Sequence, residues 1–129
     1  MTESADTAGG TELRVAPLTV SVIVPTFNEA PNVAELVQRI QTSLAGRSAE
    51  IIFVDDSTDD TPAAIELAAS EFQIPVRLIH RPQPTGGLSG AVLAGLRAAD
   101  SDWCVILDGD LQHPPEVIPT LLDSAAEQG

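Results

Sequence analysis

Asp108 and Asp110 stand one residue apart at the end of an apolar run, in the stretch VILDGDLQHPPE over 105–116. Two carboxylates at that range repel each other unless something positive sits between them. A hard divalent cation, Mg²⁺ or Mn²⁺, meets the need. It takes oxygen ligands, accepts one or two carboxylates together with substrate phosphates, and keeps water in its other positions. Gly109 between the two acids leaves room for a close ligand. A cation held there could receive a diphosphate and offset the charge that builds on a departing phosphate oxygen. A D-x-D turn alone is a common feature, and it also suits an aspartate-based phosphatase with Asp108 as nucleophile and Asp110 as acid.

Other phosphate and covalent chemistries fit less well. All six basic residues are arginines, so there is no P-loop lysine and no Schiff-base amine. No G-x-G-x-x-G follows the first apolar run, and the glycines of GGLSGAVLAG, 86–95, have the wrong spacing for it. The single Cys104 excludes an intrachain disulfide framework, and with two histidines a structural zinc site is not expected. No Ser-His-Asp or Cys-His set stands out.

The elements that must position the acids follow in regular order. LTVSVIVP, 18–25, is a β-branched apolar run that stops at Pro25. Val33, Leu36, Val37, Ile40 and Leu44 then recur at helical spacing, with Gly46 as the stop. AEIIFVDD, 49–56, reads as a second strand. A helix follows it, with Thr61 as N-cap and Pro62 at its first position. IPVRLIHR, 74–81, is a third strand, and GLSGAVLAGLRAAD, 87–100, a helix with small residues on one face. DWCVILDGD, 102–110, is a fourth strand with Trp103 and Cys104 as packing residues, and a last helix opens at PPEVIP. Alternating β and α elements with continuously apolar strands predict an α/β fold, an open, mostly parallel sheet with helices on both faces. A Rossmann-like nucleotide-binding half of this kind has strand order 3-2-1-4 and binds its ligand at the carboxyl ends of the strands. Asp55, Asp56, Asp108 and Asp110 then share one rim with Glu29 beside them. Asp59 and Asp60 are expected to serve the turn and the next helix N-terminus.

The bulk composition bounds the partners. At 129 residues the chain is one domain at most, and its formal charge of −13 repels nucleic acid and anionic lipid headgroups. It repels anionic small molecules too, so a phosphate ligand needs a local cation, backbone N–H groups or a placed arginine. The polar start, MTESADTAGGTEL, is no signal peptide, and no run is long enough to span a bilayer. Residues 1–16 read as a disordered leader, 17–129 as the folded part, and the cysteine usage suits the cytoplasm.

Four stretches, SVIVPTFNEAPNV, IIFVDDSTDDTP, GLSGAVLAGLRAA and VILDGDLQHPPEVIP, in this order and spacing, resemble the family-2 glycosyltransferases of GT-A fold. The similarity is greatest to the polyprenyl-phosphate sugar synthase branch, which includes the dolichol-phosphate mannose synthases, and covers residues 18–127. It implies inverting transfer of a sugar from a nucleotide diphosphate sugar, GDP-mannose first and UDP-glucose second, to a polyprenyl phosphate. It further implies that Pro25, Phe27 and Glu29 meet the base and ribose, and that Asp56 rather than Asp55 hydrogen-bonds the base. Asp108 and Asp110 would bind metal and diphosphate, with Asp110 as the candidate catalytic residue and Gln112 as a third metal ligand. Arg81 and the glycines around Gly87 would lie near the donor. Phe27 could equally be a core residue, and His113 could cap the last helix or line the sugar pocket. The resemblance also implies a longer enzyme, with the acceptor site and membrane-associated segments beyond residue 129 and a place at the cytoplasmic face of the membrane.

Overall fold

The computed structural model of the protein describes residues 19–112 and 114–128. The leader read over 1–16 and the roles considered for His113 lie outside the described residues. Four strands are present: β1 (Val20–Thr26), β2 (Ala49–Asp55), β3 (Val76–His80) and β4 (Trp103–Ile106). They are joined by α1 (Val33–Ser43), α2 (Thr61–Glu71) and α3 (Gly87–Ala98), and α4 (Ile118–Gln128) follows β4. Short 3₁₀ turns at Ala30–Asn32 and Pro115–Val117 lead into α1 and α4. The sheet is parallel throughout in the order β3-β2-β1-β4, so the expected α/β architecture and strand order are both present.

The apolar strand sequences have a direct physical cause. Val22, Val24, Ile51 and Phe53 point into a core shared with α1, α2 and α4, while Ile23, Ile52 and Val54 point the other way, onto α3. Every residue of β1 and β2 thus meets a covered face, and nothing selects a polar alternation. The outer strands depart from that expectation. β3 and β4 are only partly covered, and Trp103 and Cys104, expected to pack, are exposed on β4. Among the described residues β4 pairs with β1 alone, so its other side has no neighbouring strand to bury them.

α3 lies close on the sheet because its contact face is small. A Cβ built on Gly95 would come within 2.5 Å of Ile23 Cγ2 and 3.3 Å of Val54 Cγ2. Gly95→Ala is therefore expected to destabilise the chain by about 1–3 kcal/mol through overpacking, although alanine favours a helix by about 1 kcal/mol. The urea midpoint measures the balance, and an unchanged midpoint would mean that α3 can lift from the sheet.

The Pro115–Val117 turn and α4 are tied to α1 and the loop after it by charge as well as by Ile118 and Leu122. The Arg39 guanidinium holds the Glu116 carboxylate through Nε (2.9 Å) and NH2 (2.7 Å), and Arg47 reaches Asp123 at 2.8 Å. The Arg39 hydrogen bonds bring the Glu116 carboxyl from 4.5 down to about 2. A carboxyl whose folded value is depressed contributes its stability above its ordinary value, and that contribution disappears as pH falls through the folded one. The Glu116 side-chain resonance should accordingly titrate near pH 2 in the folded chain and markedly higher, toward its ordinary value, in Arg39→Met. The same midpoint in both would show that the pair does not persist in solution.

Candidate functional site

All four strands end on one edge, and Pro25 determines how. Odd-numbered carbonyls here turn toward β4: Thr19 O, just before β1, accepts from Trp103 N–H and Ile23 O from Leu107 N–H. Even residues face β2, where Thr26 O accepts from Asp56 N–H. Pro25 has no N–H to offer β4, and the β1–β4 pairing stops at Ile23–Ile106. The expected end of β1 at Pro25 is thus corrected, because pairing with β2 runs on to Thr26–Asp55. The expected reach of β4 to residue 110 is corrected for the same reason. Released from the sheet, the segment 108–112 turns across the end of β1.

That turn is tightly backed. A Cβ on Gly109 would lie 2.9 Å from Thr26 Cγ2 and 3.3 Å from Pro25 O, so only glycine fits. Leu111 holds a φ of 65°, a left-handed conformation that non-glycine residues adopt at a cost and that clusters at functional sites. Asn28 (φ 54°) holds the same conformation after β1. Asp110 is exposed, and its Oδ1 accepts the Gln112 N–H at 3.0 Å. Asp108 is half-buried, and Gln112 is exposed.

Asp55 and Asp56 have opposite environments although they are adjacent. Asp55 is fully buried. Its Oδ1 accepts from the Thr26 hydroxyl (2.6 Å) and the Ser57 hydroxyl (2.6 Å), and its Oδ2 lies 3.2 Å from Ser57 N and 3.1 Å from His80 Nδ1. One carboxylate thereby ties the ends of β1, β2 and β3. Ser57 and Thr61 pass the order outward: Asn28 N–H donates to Ser57 Oγ at 2.7 Å and Glu29 N–H to Thr61 Oγ1 at 3.0 Å. Thr61 is the first residue of α2 and not its N-cap, a correction of the expected boundary. Its N–H and hydroxyl both donate to Asp59, which lowers the Asp59 carboxyl below its ordinary value.

Asp56 faces the opposite way, into a cleft of about 320 Å³ lined by Pro25, Thr26, Phe27, Asp56, Pro84, Gly87, Leu88 and Ala91. Phe27 is 61% exposed there, which excludes the core alternative. Arg81 grips Asp56 with Nε to Oδ1 at 2.8 Å and NH2 to Oδ2 at 2.7 Å, and the carboxylate holds the guanidinium more firmly protonated. The same head group donates to Thr85 O and Gly87 O, each at 2.9 Å.

Pro25, Phe27, Asp56 and Gly87, four residues singled out in the sequence, thus share one cleft. Its Pro25–Thr26 wall is the same backbone that backs Gly109. Glu29 and Arg81 are not among the lining residues. Glu29 instead accepts from the Asn32 amide at 2.9 Å. The hub of Thr26, Ser57 and His80 around Asp55 was not anticipated. Its only sequence signal is the hydroxyl residues placed beside the strand-end acids. The D-x-D turn supplies oxygen donors alone, from Asp108, Asp110 and Gln112, a set that fits a hard cation sharing its shell with water and ligand phosphates. Among the described residues no group of three or more His, Cys, Asp or Glu forms a complete protein cage.

Residues 21–129 match the family model for glycosyl transferase family 2. A dolichol-phosphate mannosyltransferase of Pyrococcus furiosus is 46% identical over 107 residues, which cover 81% of this chain and 29% of that protein. An undecaprenyl-phosphate 4-deoxy-4-formamido-L-arabinose transferase of Klebsiella pneumoniae is 36% identical over 113 residues, 84% of this chain and 34% of that one. The solved structure of a mannosyltransferase from Pyrobaculum calidifontis, in complex with GDP-Man and Mn²⁺, superposes with a TM-score of 0.69 at 30% identity, over 90% of this chain and 35% of that one. The chain spans about a third of the length of these relatives.

Proposed function

The chain belongs to glycosyl transferase family 2, and from that premise we propose that it forms the nucleotide-sugar and metal site of an enzyme that transfers a sugar to a polyprenyl phosphate with inversion. The observation that carries this reading is the contact of Pro25 and Thr26 with both the Phe27–Asp56–Leu88 cleft and the Asp108–Gly109–Asp110 turn. In this reading a base pocket and a diphosphate site lie side by side. The relatives' named substrates support a polyprenyl-phosphate acceptor, and the GDP-Man complex of the structural neighbour supports GDP-mannose ahead of UDP-glucose as donor.

In this reading the base enters between Phe27 and Leu88, and Asp56 accepts a hydrogen bond from a ring N–H. Pro25 and Gly87 shape the walls, and Glu29 borders the ribose end. Asp108, Asp110 and Gln112 would hold Mg²⁺ or Mn²⁺. The bound cation would neutralise charge on the departing diphosphate. The acceptor phosphate oxygen forms a bond to the anomeric carbon as the bond from that carbon to the diphosphate oxygen breaks. The acceptor is already ionised near neutral pH, so positioning of the two reactants carries much of the rate. The acceptor site and any membrane attachment belong to the remaining length of the enzyme, at the cytoplasmic face of the membrane. No helix among the described residues is long and apolar enough to cross a membrane.

Calorimetric titration of the chain with GDP and UDP, each with and without Mn²⁺, tests the reading. Metal-dependent binding is expected, with GDP favoured. A folded chain that binds neither nucleotide in the presence of metal would overturn it.

A further inference from the structure

Arg81 lies beside the cleft without lining it, and four of the five N–H donors of its head group are spent on protein partners. Of the arginines in ion pairs among the described residues it is the most sequestered, with 14% of its side chain exposed against 30% for Arg39 and Arg47 and 46% for Arg77. Two of its bonds hold Asp56 on one wall. The other two hold Thr85 and Gly87, which set the entry to α3 on the opposite wall. The seat itself is shaped for a guanidinium. A Cβ on Gly90 would come within 2.9 Å of Arg81 NH1 and collide with Thr85 O, so a side chain there would evict it. Gly86, in the left-handed region at φ 82°, brings the 81–87 loop back over the same point.

We infer that Arg81 is a positioning residue for nucleobase recognition: it fixes the Asp56 carboxylate and the Gly87–Leu88 wall at the separation a base fills, and it does not bind the donor phosphates. The inference rests on the nucleotide reading above and revises the direct donor contact that the resemblance implied for Arg81. The physics favours a seat over a contact. In a chain of net charge −13, an unpaired Asp56 at the cleft would repel a nucleoside diphosphate and could swing away from the base. The bidentate Arg81 grip neutralises the carboxylate and locks its plane while each oxygen keeps acceptor capacity for a base N–H. Lysine could supply the charge but not the planar fork.

The test separates base from diphosphate. Calorimetry with Mg²⁺ present would compare GDP with inorganic pyrophosphate on the wild-type chain, Arg81→Met, Arg81→Lys, Asp56→Asn and the Asp56→Asn/Arg81→Met double variant, with urea midpoints as the folding control. The expected result is a loss of about 10-fold or more in GDP affinity for Arg81→Met, a smaller rescue than full recovery in Arg81→Lys, and unchanged pyrophosphate affinity in both. In the Asp56→Asn background Arg81→Met should cost little more, because residues acting through one another are not additive. A parallel loss of pyrophosphate affinity would overturn the inference, since Arg81 would then act on the phosphates or on folding. Wild-type GDP affinity in Arg81→Met would also overturn it while leaving the glycosyltransferase reading intact. A wild-type chain that binds pyrophosphate or nothing, but no nucleotide, would remove both.

Discussion

Asp55→Ala is expected to lose about 3–5 kcal/mol of folding stability, the cost typical of breaking a buried charged cluster by deleting one partner. Whole domains of this size hold only about 5–15 kcal/mol, so the variant should be largely unfolded at modest urea or gentle heating. The carboxylate is fully buried and has four polar partners within 3.2 Å. Deleting it strands the Thr26 and Ser57 hydroxyls, the Ser57 N–H and one side of His80 where three strands end. Asp55→Asn should be milder, about 1–3 kcal/mol, because the amide keeps the volume and one acceptor oxygen but turns an NH₂ group toward a donor. Urea unfolding followed by circular dichroism measures both. A loss below about 1 kcal/mol for Asp55→Ala would mean that water reaches these groups once the carboxylate is gone.

The adjacent pair Asp55–Asp56 also shows what could be read from the sequence alone. The residues alone put both acids on one rim and only the family resemblance set Asp56 apart, whereas successive residues at a strand end point to opposite sides and Asp55 is buried. The parallel sheet was legible because apolar continuity on β1 and β2 records cover on both faces, and α1 because its apolar residues recur at helical spacing. What could not be read is anything set by partners distant in sequence. The Arg81 grip on Asp56 and the His80 contact with Asp55 span 25 residues, and the Thr26 bond to Asp55 spans 29. Composition carries no trace of such pairings. Pro25 was misread for a related cause. A proline ends a ladder on one side only, and which side depends on the register between strands, which the order of residues does not state. Trp103 and Cys104 read as buried because apolar residues on a strand usually are, whereas burial on β4 depends on a neighbour that the described residues do not supply.

Asp110→Ala is expected to abolish the metal-dependent part of nucleotide affinity, a loss of at least about 100-fold, since even groups that merely orient metal ligands are worth about 10–100-fold. The sign without metal makes the prediction sharper. With EDTA present, Asp110 is simply one more negative charge beside a diphosphate, on a chain already at −13. The variant should therefore bind GDP as well as the wild type or better. A residue that only shaped the turn would lower affinity in both conditions. Asp110→Asn separates charge from shape, because its amide oxygen can still accept the Gln112 N–H that Asp110 Oδ1 accepts at 3.0 Å. If the charge is what matters, Asn should behave like Ala in the presence of metal. If the turn is what matters, Asn should behave like the wild type. Asp110 is exposed, so neither variant should move the urea midpoint, and a binding loss could not be ascribed to unfolding. Equal GDP affinity in wild type and both variants, with Mn²⁺ present, would exclude the turn as the metal site.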